Sequence, residues 1–188
     1  MRRQPEKTAR TKQNMIDVFW KLAEEKGLDK VTASALAKEA GINRATFYAY
    51  FTDMDDLIFQ AEEQILLDMR TKMADALLQQ GLSADLSEAA TKVVETLAQY
   101  DEKLFLLLGE NGDSHFVSMF RQEASKLFSM VFSDKGIEMY KDYIVAYVTS
   151  AFLGVLNFWH ESGRKISINE MAAICRKITV GGMKLLCD

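Results

Sequence analysis

Apolar positions recur at helical spacing along nearly the whole chain, and no stretch shows the strict alternation of a half-buried strand. Met15, Phe19, Leu22 and Ala23 define a first helix over about Lys7 to Lys26, with Gly27 as its stop. Leu36, Ala37 and Ala40 share one face of a second helix, opened by Thr32, whose hydroxyl suits the cap of an exposed backbone N–H. Gly41 ends that helix by supplying left-handed backbone without a Cβ clash. Asn43 caps the next one, with Ile42 before it and Phe47 after it at the spacing of a hydrophobic staple. From Asp53 to Gln80, the positions Leu57, Ile58, Ala61, Ile65, Met69, Met73, Ala76 and Leu77 keep the period unbroken. They predict one helix roughly 40 Å long, closed by Gly81, Leu82 and Ser83. Later helices are expected at about Asp85 to Tyr100, His115 to Phe132, Gly136 to Ser162 and Ser167 to Leu186, with FLLLG and VSMF as buried helix segments. The fold class is all-α.

The helix, glycine turn and short helix between Val31 and Leu57 form the layout of a DNA-reading helix-turn-helix. Phe47 and Phe51, four apart, bury one side of the second helix, which leaves Arg44 and Tyr48 on another beside Ala45 and Ala49. That edge offers a cation, a phenol and small apolar groups to a major groove. Arg44 is the best base reader, because a guanidinium bonds guanine at two acceptors; Ala45 can touch a thymine methyl and Thr46 can assist. Thr32, Ser34, Tyr48 and Tyr50 carry hydroxyls where a docked pair would face the sugar-phosphate rail, and Asn43 sits at the front of the reading helix. Capping alone also explains Thr32 and Asn43, and partial core packing explains Tyr48; these roles are compatible with DNA contact. Arg2, Arg3, Lys7, Arg10 and Lys12 form either a basic arm for phosphates or an ordinary solvated terminus.

The run LAKEAGINRATFYAYF, followed by an acidic turn and Leu57, resembles the DNA-binding region of TetR-type transcriptional regulators over roughly Asn14 to Leu57. The remainder resembles that family in architecture, and NFWHESGRKISINEMAAI is similar to a Firmicutes-type subgroup that includes regulators of dihydroxyacetone kinase. The resemblance implies an N-terminal three-helix DNA-binding head (1–52) joined by the long helix to a C-terminal helical effector-binding and dimerisation domain (53–188). It further implies a homodimeric repressor, released from a palindromic double-stranded DNA operator by a small-molecule effector. One position departs from the family pattern: Met54 stands between Asp53 and Asp55 where a lysine usually reaches a phosphate. That departure leaves open a second reading, a coactivator with weakened DNA binding of its own that works through a second regulatory protein.

Charge supports the assignment of ends. Residues 1–52 hold ten Lys and Arg against six Asp and Glu, while the rest holds thirteen against twenty-one, so the global charge of -4 conceals a cationic head. Phosphate attraction depends on that local balance. Among the C-terminal helices the polar residues Asn111, His115, Tyr147, Asn157 and His160, with Met119, are candidates to line an effector pocket; core or surface placement explains each as well. Val145, Thr149, Leu153, Gly181 and Gly182 offer small or apolar contact for a two-fold four-helix interface, against the alternative of an internal hairpin in a monomer.

Cys175 and Cys187 lack partners at ligand spacing, so neither a metal site nor a disulfide framework is expected, and no cofactor is implied. Two histidines, no phosphate-cradling glycine loop and no nucleophile elbow leave no constellation for an enzyme. With a charged N-terminus and no apolar run expected to cross a bilayer, the reading is a cytoplasmic protein without membrane contact.

Overall fold

In the computed structural model, residues 5–80, 95–109, 112–132 and 138–187 are described, and the regular elements among them are all helical. They comprise α1 (Pro5–Lys26), α2 (Ala33–Glu39), α3 (Arg44–Phe47), α4 (Met54–Gln80), α5 (Asp101–Leu108), α6 (Ser114–Phe132), α7 (Lys141–Glu161) and α8 (Ile168–Cys187), with short 3-10 turns at Leu28–Lys30 and Glu138–Tyr140. The chain divides into two compact units, Met1–Ile65 and Leu66–Asp188, and α4 runs from one into the other.

Local chemistry explains the boundaries. Proline is tolerated in the first turn of α1, where its missing N–H has no helical partner to lose. Gly27 takes φ +94° at the far end. Asp113 Oδ1 accepts from the backbone N–H of His115 at 2.6 Å and of Phe116 at 3.3 Å, opening α6. At α8, Ser167 Oγ accepts from Glu170 N while Glu170 Oε2 accepts from Ser167 N at 2.8 Å, a reciprocal capping box. The Ser167 N–H holds the Glu170 carboxyl below its usual range.

In unit 1, Met15, Phe19, Leu36, Phe47 and Leu57 have no exposed surface and join α1, α2, α3 and the start of α4. In unit 2, Leu104, Leu107, Phe116 and Leu156 form the corresponding centre. A clasp adds to it: Tyr100 donates its hydroxyl to Asp68 Oδ2 and accepts from Lys72 Nζ at 2.8 Å, tying α4 to the segment ahead of α5. Burial, then the Asp68 carboxylate, raises the Tyr100 pKa; the phenol's hydrogen bond lowers that of Asp68.

The helix expected at Asp85 to Tyr100 is described only from residue 95; there 95–98 is helical, a turn follows, and α5 begins at Asp101. The FLLLG run forms the end of α5. Gly81, Leu82, Ser83, Asn111, Arg2 and Arg3 lie outside the described residues.

One expectation is corrected. Among the described residues, α7 is long and apolar enough by composition to cross a membrane. Its apolar residues lie on two faces. Ile144, Val145, Leu156 and Trp159 are buried in the protein, whereas Tyr143, Tyr147 and Phe158 are exposed.

Candidate nucleic-acid interface

The front edge of unit 1 is assembled by local hydrogen bonds. Thr32 Oγ1 accepts from Ala35 N at 3.2 Å and starts α2. At its end Gly41 takes φ +66°, while Gly41 N donates to Lys38 O at 3.2 Å and Ile42 N to Ala37 O at 2.9 Å, so the last carbonyls of α2 are used inside the turn. A Cβ at Gly41 would meet nothing within 4 Å; what glycine provides is the backbone conformation. Asn43 Oδ1 then accepts from Ala45 N at 2.9 Å and opens α3.

From behind, Phe47 and Phe51 anchor α3, at 0% and 1% exposure with ring centroids 5.6 Å apart. In front, Arg44 NH2 donates to Tyr48 OH at 3.1 Å, and the guanidinium carbon lies 5.5 Å from the Tyr48 ring centroid. Thr32, Ser34, Asn43, Arg44, Ala45 and Tyr48 are exposed, whereas Thr46 and Tyr50 are half-buried. Lys7 and Arg10 are exposed on α1, and Lys12 Nζ sits 5.8 Å from the Phe51 ring centroid.

Behind this edge, the acidic turn serves the start of α4. Asp53 Oδ1 accepts from Asp56 N at 2.9 Å, and Asp56 accepts from Thr52 N at 2.8 Å and from Gln60 Nε2 at 2.6 Å. The Thr52 N–H, followed by the Gln60 amide, holds the Asp56 carboxyl below its usual value. Met54 is half-buried among these acids, so the position brings no cation to the edge.

In unit 2 the pocket candidates separate. His115 and Tyr147 are exposed and Met119 is half-buried. Asn157 and His160, one turn apart on α7, come together beside α5. The His160 ring stacks on Phe105 with centroids 3.8 Å apart, and a Cβ on Gly109 would lie 3.8 Å from Asn157 Oδ1. Arg164 NH2 bonds His160 Nδ1 at 3.2 Å and pairs with Glu102 at 2.5 Å. Asn157 Oδ1 and His160 Nε2 are buried without a hydrogen-bond partner among the described residues. Burial, reinforced by the Arg164 charge, lowers the His160 pKa. A separate small cavity of about 10 Å³ is lined by Leu97, Leu104, Phe152, Leu156 and Met171.

The interface candidates divide by burial. Val145 and Thr149 are buried within the single chain, and Thr149 Oγ1 donates to Val145 O at 2.7 Å, so they face the interior rather than the outward surface expected of them. Leu153 is half-buried; Gly181 and Gly182 are exposed. Apolar groups that face outward include Tyr143, Tyr147, Val155 and Phe158 on α7, with Ile174 and Ile178 on α8. The sequence reading missed this face because α7 carries two stripes. Positions 143, 147 and 158 fall within about 60° of one another on the helix, apart from 144, 145, 156 and 159, and that angular separation is the signal that marks the face.

Residues 16–61 match the family described as bacterial regulatory proteins, tetR family, and residues 84–181 match a transcriptional regulator C-terminal region. A comparison with curated protein sequences finds no match. Among solved structures, the fold is similar to that of the fatty acid degradation regulator FadR from Bacillus halodurans, with TM-score 0.75 and 15% identity over 97% of this chain and 98% of that one. It is similar to a tetR-family transcriptional regulator from Streptomyces coelicolor, with TM-score 0.75 and 18% identity over 96% and 84% of the two chains. Thermus thermophilus FadR, a TetR family transcriptional repressor solved in complex with lauroyl-CoA, gives TM-score 0.61 and 16% identity over 92% and 94%.

Proposed function

This chain belongs to the TetR family of bacterial regulatory proteins, DNA-binding transcription regulators and not enzymes, and on that premise we propose that it is a homodimeric repressor that leaves a palindromic operator when a small-molecule effector binds. The observation that carries this reading is the front edge of unit 1: Arg44, Ala45 and Tyr48 exposed, with Phe47 and Phe51 sealed behind them. An arginine on such an edge can pair with guanine O6 and N7 with Thr46 assisting, while Thr32, Ser34, Asn43 and Tyr50 position the edge against sugar and phosphate.

Dimerisation is proposed through the outward face of α7 and α8. Tyr143, Tyr147, Phe158, Ile174 and Ile178 are too large and too apolar together to be explained as scattered surface residues. Gly154, Gly181 and Gly182, with nothing within 4 Å of an added Cβ, leave room for close helix approach. Two-fold pairing of this kind sets two reading edges about one DNA turn apart, roughly 34 Å.

For the effector we propose unit 2, with Asn157 and His160 as its polar contacts: each keeps a buried atom unpaired, which costs free energy unless a bound group satisfies it. The lauroyl-CoA complex of the Thermus thermophilus repressor supports an apolar ligand with a polar end as the class to try first. Binding would act on DNA through α4, the helix shared by both units. Such a regulator works beside the chromosome, in the cytoplasm. Selection of bound fragments from random DNA tests the reading: a palindromic site with half-sites about one turn apart is expected, and enrichment of no sequence would overturn it.

A further inference from the structure

We infer that Tyr48 is a positioning residue for base recognition, acting through Arg44 rather than on the phosphate rail; this rests on the proposed reading of DNA by α3. A surface arginine ordinarily samples many rotamers, and ordering it on DNA costs part of the contact it makes. Here the side chain is held before any DNA arrives. Phe47, with no exposed surface, meets the Tyr48 ring edge-on with centroids 5.1 Å apart and 86° between planes. The Tyr48 ring thereby has a fixed wall, and its hydroxyl accepts from Arg44 NH2 at 3.1 Å. The guanidinium also leans toward the same ring, its central carbon 5.5 Å from the centroid. Rigidity passes from the core to Phe47, from Phe47 to Tyr48 and from Tyr48 to Arg44.

The chemistry leaves the reading function intact. A terminal guanidinium nitrogen carries two hydrogens, and each belongs to a different two-pronged edge of the group. Engaging one of them with the phenol oxygen occupies one edge and leaves the other open for the two acceptors of a guanine. The phenol therefore selects which edge of Arg44 faces the groove.

Tyr48→Phe keeps the ring, its packing on Phe47 and its contact with the cation, and removes only the hydroxyl. Binding of the full-length protein would be profiled against a library of single-base variants of its selected site, at several salt concentrations, for wild type, Tyr48→Phe, Arg44→Ala and the double variant. Loss of the positioning bond lowers the preference at the Arg44 base pair by roughly 3- to 10-fold, a fraction of what a bidentate contact supplies. It leaves the salt slope unchanged and adds no further base-specific loss in the Arg44→Ala background. A uniform loss across all sequences, with a shallower salt slope and an unaltered preference profile, identifies Tyr48 as a phosphate contact and overturns the inference. Failure of the underlying reading looks different: wild type itself then selects no site. An unchanged melting temperature for Tyr48→Phe confirms that the measured change arises at the DNA.

Discussion

Phe47 and Phe51, four residues apart, meet with ring centroids 5.6 Å from each other and almost no solvent exposure, beneath the exposed Arg44 and Tyr48. A helix of four residues cannot be stable by its own hydrogen bonds, so these rings supply what the backbone lacks. Phe47→Ala should cost about 3–5 kcal/mol of stability in unit 1. Thermal or denaturant unfolding followed by a probe in the head will check this, and a loss below about 1 kcal/mol would show that α3 is held by something else.

Met54 provides a gain-of-contact test. The surrounding carboxylates are occupied with capping, Asp53 on Asp56 N and Asp56 on Thr52 N, so a cation at position 54 can be added without disturbing them. Met54→Lys is expected to tighten operator binding and steepen the log-log salt dependence by about one unit. Electrophoretic titration at four or five salt concentrations measures both quantities.

Much of unit 1 was legible in the sequence because its instructions are local. Thr32, Gly41 and Asn43 act on backbone groups two to four residues away, and the structure uses them as caps and as a left-handed turn. The Ser167 and Glu170 pair at the start of α8 acts over the same short range, although only the helix range, and not this cap, is read from the sequence. Unit 2 was less legible because its decisive contacts are distant in sequence. Tyr100 joins Asp68 and Lys72 across 32 and 28 positions, and no spacing announces such a clasp. On α7, hydropathy alone could not say which apolar stripe goes inward; the structure buries Val145 and Thr149 and leaves Tyr143 and Phe158 in solvent.

That outward face carries its own prediction. Phe158 is 69% exposed in the single chain and belongs to the face proposed for the contact. Phe158→Glu would place two carboxylates close together across a two-fold interface, with like-charge repulsion and desolvation both opposing assembly. Sedimentation should show wild type as a dimer and the variant as a folded monomer at micromolar concentration. A wild-type monomer, or a variant dimer of unchanged affinity, would move the interface elsewhere.

His160 makes the stability of unit 2 depend on pH. Its burial beside Phe105, with Arg164 close by, depresses its folded pKa despite the opposing charges of Glu102 and Asp101. A group with a depressed folded pKa binds protons more readily when unfolded, so stability is full above the unfolded value of about 6.5 and falls as pH drops through it. Melting temperatures between pH 8 and pH 5 should decline for wild type and decline less for His160→Asn. Parallel curves for the two proteins would remove His160 from the account.

The most direct test of the whole account is the DNA selected by wild type compared with that selected by Arg44→Ala. Wild type is predicted to enrich a palindromic site in which each half contains a guanine that loses its enrichment in the variant, at a cost of about 1–3 kcal/mol per contact. Identical selected sites for the two proteins would mean that the edge of α3 does not read bases, and would contradict the assignment of sequence recognition to Arg44.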